Sequence, residues 1–246
     1  MRREGNSKDY VTDGLILHLD AIKNASGGTH SNSTTTWYDL SASANNVSLV
    51  NPSWSDTYLT FGGSTRGQTA SNVNLNGLSK FTIEVLFRTI TNSTLGIILE
   101  HTSNYNTNIG AFLLDTVDGS PATKTLFGGL RKNAQSGKHP YLTGGYDKSI
   151  SDDLYVMQYD DSTDVATTEL EMYTNTIKET LTFNPNNDAT VATTLRTAIL
   201  YIGARSGGSF PFTGSIRAIR IYNRKLSVAE LYQNKITDFR RYGIIK

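Results

Sequence analysis

The sequence has no cysteine, only five prolines and two tryptophans, and four histidines among 246 residues. Without cysteine there is no disulfide framework and no thiolate metal centre, so stability must come from the apolar core. Charge is scarce as well: charged residues make up 18% of the chain, and 23 basic side chains meet 22 acidic ones for a formal net charge of +1. With no block of like charge, the long-range field that gathers nucleic acid or anionic lipid is missing, and neither is expected as a partner. No apolar run approaches the roughly 18 residues of a membrane span. The opening "MRREGNSKDYVTDG" is basic at first but has no apolar stretch and no small-residue cleavage site, so it does not read as a secretory signal.

Thr, Ser, Asn and Gly are abundant instead, which favours turn-rich β structure over helices. "GLILHLD" alternates Leu15, Leu17 and Leu19 against Ile16, His18 and Asp20. In "KFTIEVLFRT", Phe81, Ile83, Val85 and Phe87 face one way while Thr82, Glu84, Leu86 and Arg88 face the other, giving a core face and a partly polar face. Further strands are expected at 96–100, 110–115, 126–131, 153–160, 168–174, 177–183 and 198–203, separated by turn signals such as "DGSP", "DDSTD" and "NPNND". Many short strands without a linker or repeat predict one all-β domain of two antiparallel sheets packed face to face. Residues 1–10 are polar and aperiodic and are expected as a flexible arm, with the domain covering 11–246.

One helix is expected, at the end. Ser227 fits an N-cap, Glu230 the residue that reaches back to it, and Leu226 and Leu231 the flanking hydrophobic staple. Val228, Leu231, Tyr232, Lys235, Ile236 and Phe239 recur at helical spacing, the apolar members making one stripe, which predicts a closing helix laid against the sandwich. Just before it, in "GSIRAIRIYN", Ile216 and Ala218 share one strand face and Ile219 and Ile221 the other, so a bulge or a strand buried on both faces is expected near Ala218. Arg217, Arg220 and Arg224 read as solvated or paired arginines rather than as an anion site.

"FTGSIRAIRIYNRKLSVAEL" resembles the closing strand and turn of the laminin-G-like, concanavalin-A-like jelly-roll superfamily. "ELEMYTNTIKETLTF" is similar to the family's hairpin with a Tyr-x-Asn turn, with Thr176 where glycine is usual, and "SKFTIEVLFR" to its early core strand. "GLILHLDA", "TTTWYDLSASANN" and "LYQNKITDFRRYGI" resemble the versions found in tailed-bacteriophage virion proteins, and the likeness covers most of residues 11–244. The resemblance implies a two-sheet jelly roll with a short C-terminal helix. It also implies a virion structural protein: a capsid decoration, head fibre or tail fibre, made in the host cytoplasm and residing in the particle. The partners it implies are other virion proteins, held through the N-terminal arm, further copies in a homo-oligomer, and glycans.

Some relatives of this fold hydrolyse glycosides, and a retaining enzyme holds its two carboxyls about 5–5.5 Å apart. "TELEMY" sets Glu169, Glu171 and Tyr173 on one strand face, but the alternating Glu-x-Asp-x-Glu array of those enzymes is missing. No catalytic residue is assigned. Asp160, Asp161 and Asp164 form an acidic turn with oxygen donors for Ca²⁺, yet it lacks the glycine and distal glutamate of an EF-hand loop. The histidines are scattered, "FGGLRKNAQSGK" lacks phosphate-loop spacing, and no metal or cofactor is assigned. Sugar binding needs only an aromatic platform with amides and hydroxyls around it. The loop residues Tyr105, Asn106, Tyr141 and Tyr146 supply that chemistry and are the candidate glycan contacts, while Trp37 and Trp54 read as structural anchors. The reading is a non-enzymatic virion protein whose loops bind host-surface or environmental glycans. The alternatives are a purely structural docking subunit and a polysaccharide-acting hydrolase.

Overall fold

The computed structural model of the chain describes residues 9–89, 95–117, 125–131, 140–142, 152–161, 169–183 and 195–245. Their strands are β1 (Leu15–Asp20), β2 (Thr36–Trp37), β3 (Val47–Val50), β4 (Ser53–Ser55), β5 (Tyr58–Gly62), β6 (Arg66–Thr69), β7 (Val73–Asn74), β8 (Lys80–Thr89), β9 (Gly96–His101) and β10 (Phe112–Val117). They continue with β11 (Thr125–Leu130), β12 (Pro140–Leu142), β13 (Asp153–Asp160), β14 (Leu170–Thr174), β15 (Ile177–Lys178), β16 (Leu181–Phe183), β17 (Thr197–Ala198), β18 (Leu200–Ile202) and β19 (Thr213–Tyr222). The helix α1 spans Val228–Arg241.

Two antiparallel sheets form the expected all-β sandwich. The first runs β15-β14-β13-β8-β19-β5-β4, with β1 pairing the second half of β19; the other runs β16-β12-β11-β10-β9-β18-β6-β3-β2. The ten-residue strands β8 and β19 lie side by side at the centre of the first sheet, far apart in sequence and in register from Gly214 opposite Thr89 to Tyr222 opposite Thr82. Between the sheets, Phe81, Ile83, Val85 and Phe87 from β8 meet Phe112, Leu114, Leu200 and Ile202 in one apolar core. This is the core face that the alternation in β8 predicts.

Register in β19 corrects one expectation. A bulge between Ile216 and Ala218 inserts Arg217, so Ile216 joins Ile219 and Ile221 in the inter-sheet core while Ala218 turns outward. A single extra residue flips the face of everything beyond it, which is why strict alternation fails there. Trp37 is buried and Trp54 packs against it edge-on at 5.2 Å, its indole N–H donating to the Thr34 carbonyl, so both act as anchors as expected.

The helix begins as predicted. Ser227 Oγ accepts from the Glu230 amide, Glu230 reaches back to the Ser227 amide, and Leu226 and Leu231 are both buried in the same cluster. The face it buries differs from the apolar stripe. Val228 and Tyr232 are more than half exposed at 57% and 55%, whereas Asn234 and Asp238 are fully buried. The reason is what lies beneath: α1 covers the outer, partly polar face of the first sheet. There Arg220 donates to Glu84 Oε2 at 2.7 Å and bridges both oxygens of Asp238, and Asn234 donates to Glu84 Oε2 and to the Tyr222 hydroxyl, each at 2.9 Å. Val11, Leu86, Val156, Ala218, Leu231 and Phe239 form a second apolar cluster around this network.

The folded body also starts earlier than residue 11. Tyr10 donates to Asp238 at 2.8 Å, the Val11 amide to Asn234 at 2.9 Å, and Gln233 donates to the Asp9 carbonyl at 2.6 Å. Asp9 and Tyr10 are thus bound to the helix rather than part of a free arm.

Candidate functional site

Among the sequence-predicted positions, Tyr105 is wholly buried, packed with Ile97, Ala111 and Leu113, and burial pushes its phenol far up. The expected exposed platform is corrected at this residue, whose ring lies in an apolar cluster and whose amide donates to Glu100 at 2.6 Å. Asn106 beside it is exposed. Tyr141 lies in β12, where its backbone pairs with Phe127 and Thr182, and Tyr146 lies outside the described residues.

Glu169 is buried just before β14, and Glu171 is engaged by Lys178 and Lys225, each at 2.7 Å, and by the Tyr173 hydroxyl at 2.8 Å. Partial burial alone pushes the Glu171 carboxyl up, but the three donors outweigh it and hold the group at about 2. A carboxyl held there is ionised at neutral pH and serves as an ion-pair acceptor, not as the proton donor of a glycosidase. Asp160 pairs with Lys80 at 3.1 Å and Asp161 accepts from Tyr159 at 2.7 Å, while Asp164 lies outside the described residues. Among the described residues no group of three or more acidic or histidine side chains is arranged to hold a metal ion.

The three arginines are paired, as expected, but not on an exposed face. Arg217 is bidentate to Asp152 at 2.8 and 3.0 Å, and Arg224 pairs with Glu230 at 2.7 Å and Asp13 at 2.8 Å. Arg220 is wholly buried.

A surface with the right chemistry for a ligand lies on the outer face of the second sheet. Here β3, β6 and β18 run side by side, Tyr201 opposite Gln68 and Gln68 opposite Ser48, so all three side chains leave the same face. With Val50, Arg66 and Arg205 they line a shallow cleft of about 280 Å³. Ser48, Gln68 and Val50 are exposed and Tyr201 is half-buried, its neighbours Leu200 and Ile202 filling the core behind it.

The two guanidinium groups differ. Arg205 is committed: its Nε lies 2.9 and 3.0 Å from the two oxygens of the wholly buried Glu100, and the group lies 5.0 Å from the centre of the Phe210 ring. Arg66 has no ion-pair partner among the described residues and lies over Gly208, whose φ of +92° needs glycine and where a Cβ would sit 3.5 Å from Arg66 Nη1. The cleft therefore offers one half-exposed aromatic ring, an amide, a hydroxyl and one uncommitted cation. Sequence reasoning missed it. The signal was the polar-tipped Tyr201 between two core residues, but "RGQT" and "VSLV" are too short and mixed to reveal their partners.

No protein-family model and no curated protein sequence matches the chain. Solved structures do match its fold. The receptor-binding domain of botulinum neurotoxin C/D mosaic serotype superposes with a TM-score of 0.65 at 12% identity, over 92% of this chain and 52% of that one. The binding domain of botulinum neurotoxin DC in complex with SialylT gives the same values. Trypanosoma rangeli sialidase in complex with sialic acid gives 0.60 at 15% identity, over 94% of this chain and 34% of that one. The chain spans about half the length of the neurotoxin domains and a third of the sialidase. At these identities the likeness is one of fold: a jelly-roll β-sandwich.

Proposed function

We propose that the protein is a non-enzymatic glycan-binding β-sandwich whose sugar contacts centre on the cleft of Tyr201, Gln68, Ser48 and Arg66. The observation that carries the reading is the co-planar exit of an aromatic ring, an amide and a hydroxyl from three adjacent strands. A pyranose packs its C–H face on such a ring while its hydroxyls are met by the amide, hydroxyl and guanidinium. Structures that share this sandwich over part of their length, solved with SialylT and with sialic acid, support a sugar ligand for the protein.

The non-enzymatic part rests on where the carboxylates are spent: Glu100 on Arg205 and Glu171 on two lysines. The setting in this proposal is the virion of a tailed phage, supported by the sequence resemblance of residues 11–244, with assembly into a homo-oligomer. A glycan array with the purified chain tests the binding half. Binding that falls about tenfold or more in Tyr201→Ala and Arg66→Ala is expected, an aromatic or charged contact being worth roughly 1–2 kcal/mol. A wild-type chain that binds no polysaccharide or oligosaccharide on the array sinks it.

A further inference from the structure

A second and larger cleft, of about 580 Å³, opens where α1 ends against the turn after β1. The last turn of the helix brings Thr237, Arg240 and Arg241 to one wall, and the 3₁₀ turn of Ala21–Lys23 brings Ile22 and Lys23 to the other. Tyr10 and His18 line the inner part, the ring of one standing edge-on to the other at 4.9 Å.

Of the two carboxylates in the lining, Asp20 is already engaged. Asp20 accepts from the amides of Ile22 at 2.8 Å and Lys23 at 3.3 Å, and from the Tyr242 hydroxyl at 2.9 Å, and it pairs with Arg241 Nε at 2.7 Å. Asp9, the other carboxylate of the lining, is exposed. The donors are in excess. Arg240 and Lys23 are exposed with no ion-pair partner among the described residues, and Arg241 Nη2 is buried without a hydrogen-bond partner. His18 is only 7% exposed, and its ring makes no hydrogen bond among the described residues, with Nε2 wholly sequestered. Two exposed cations without ion-pair partners, beside a guanidinium with one nitrogen unpaired, leave this wall with more donors than acceptors.

We infer that this cleft binds a small ligand through an oxyanion group, a carboxylate or a phosphate, held by Arg240, Lys23 and Arg241, with its carbon body against Ile22, Leu40 and the Tyr10 ring. The volume lies within the range of small-molecule sites. The site is independent of the Tyr201 cleft on the opposite sheet, and the two stand or fall separately.

The test uses the full chain and follows the His18 ring resonances by NMR while inorganic phosphate, glucuronate and, as a neutral control, methyl glucoside are added. Saturable movement of the His18 signals by phosphate or glucuronate, silence with methyl glucoside, and affinity about tenfold weaker in Arg240→Gln and Lys23→Gln are expected, tenfold being about the effect of one charge-assisted contact. A response to only one of the two anions names the ligand class and still supports the site. Both substitutions are at exposed positions, and unchanged unfolding midpoints confirm that the variants are folded. His18 signals that ignore both anions, or affinities unaltered in both variants, overturn the inference.

Discussion

The outer faces of the two sheets carry similar residue types and meet opposite fates. On the first sheet, Glu84, Arg220, Gln158 and Thr82 leave the strands as a polar face would, yet α1 and the chain before it cover them to zero or near-zero exposure. On the second sheet, Ser48, Gln68, Arg66 and Tyr201 leave the strands in the same way and stay open to solvent. The covered face has exchanged water for a buried network, in which Arg220 joins Glu84 to Asp238 and Asn234 joins Glu84 to Tyr222. The open face keeps its guanidinium uncommitted. The difference teaches that polar alternation marks a strand face but does not say whether water or another element will meet it.

Removing one arginine from each face is the strongest way to break the comparison. Arg220→Ala leaves two carboxylates buried without their cation, and the expected loss is about 3–5 kcal/mol in urea unfolding. Arg66→Ala removes a side chain with no ion-pair partner and is expected to stay within about 0.5 kcal/mol of the parent. Equal losses at both positions would refute the contrast between a closed and an open face.

Acid separates the faces next. Burial first, and then the Arg220 charge, hold the His18 imidazole down from 6.5 to about 3. The unfolded chain therefore takes up its proton first as pH falls, so this contribution is complete above pH 6.5 and is lost progressively toward pH 3. About 3 kcal/mol should be gone by about pH 4, at 1.36 kcal/mol per pH unit. A His18→Leu variant should lose that slope in unfolding curves recorded from about pH 7 to pH 4. Glu230, held at about 2 chiefly by the Arg224 hydrogen bond, adds loss of the same sign, but only below its ordinary 4.5.

The smallest effect lies at the rim of the covered face. The two-residue turn between β14 and β15 places Asn175 at φ 51° and Thr176 at φ 73°, the geometry of a type I′ hairpin turn. Asn175 is bound there by Asp153, by the Leu154 amide and by Lys235 of α1. A β-branched residue in this region is strained. Thr176→Gly should therefore raise stability by roughly 0.5–1 kcal/mol in thermal or urea unfolding. An unchanged or lower midpoint would show that the turn carries no such strain.

Strands and helix were legible where they were long and regular. β8 follows its alternation directly, β13 covers the expected 153–160, and the capping box at Ser227 and Glu230 fixes the start of α1 because its hydrogen bonds are all within one turn. The short strands β2 to β7 were not foreseen, since two to five residues carry too little periodicity to stand out from a loop. The buried face of α1 was misread because Asn234 and Asp238 are buried only when Glu84, Arg220 and Tyr222 are there to meet them. Tyr105 was misread for the same kind of reason: a tyrosine among asparagines looks like a surface loop until Glu100 and Leu113 enclose it.

By itself the sequence determined the class of the protein: its alternating strands, turn residues and single capped helix specify a two-sheet antiparallel sandwich, because those signals are local in the chain. Only the tertiary structure decided which polar face is sealed and which is open, and brought Ser48, Gln68 and Tyr201 into one row and Lys23 beside Arg240. Those neighbours are set by strand register and helix docking between residues far apart in the chain, and no local pattern encodes them.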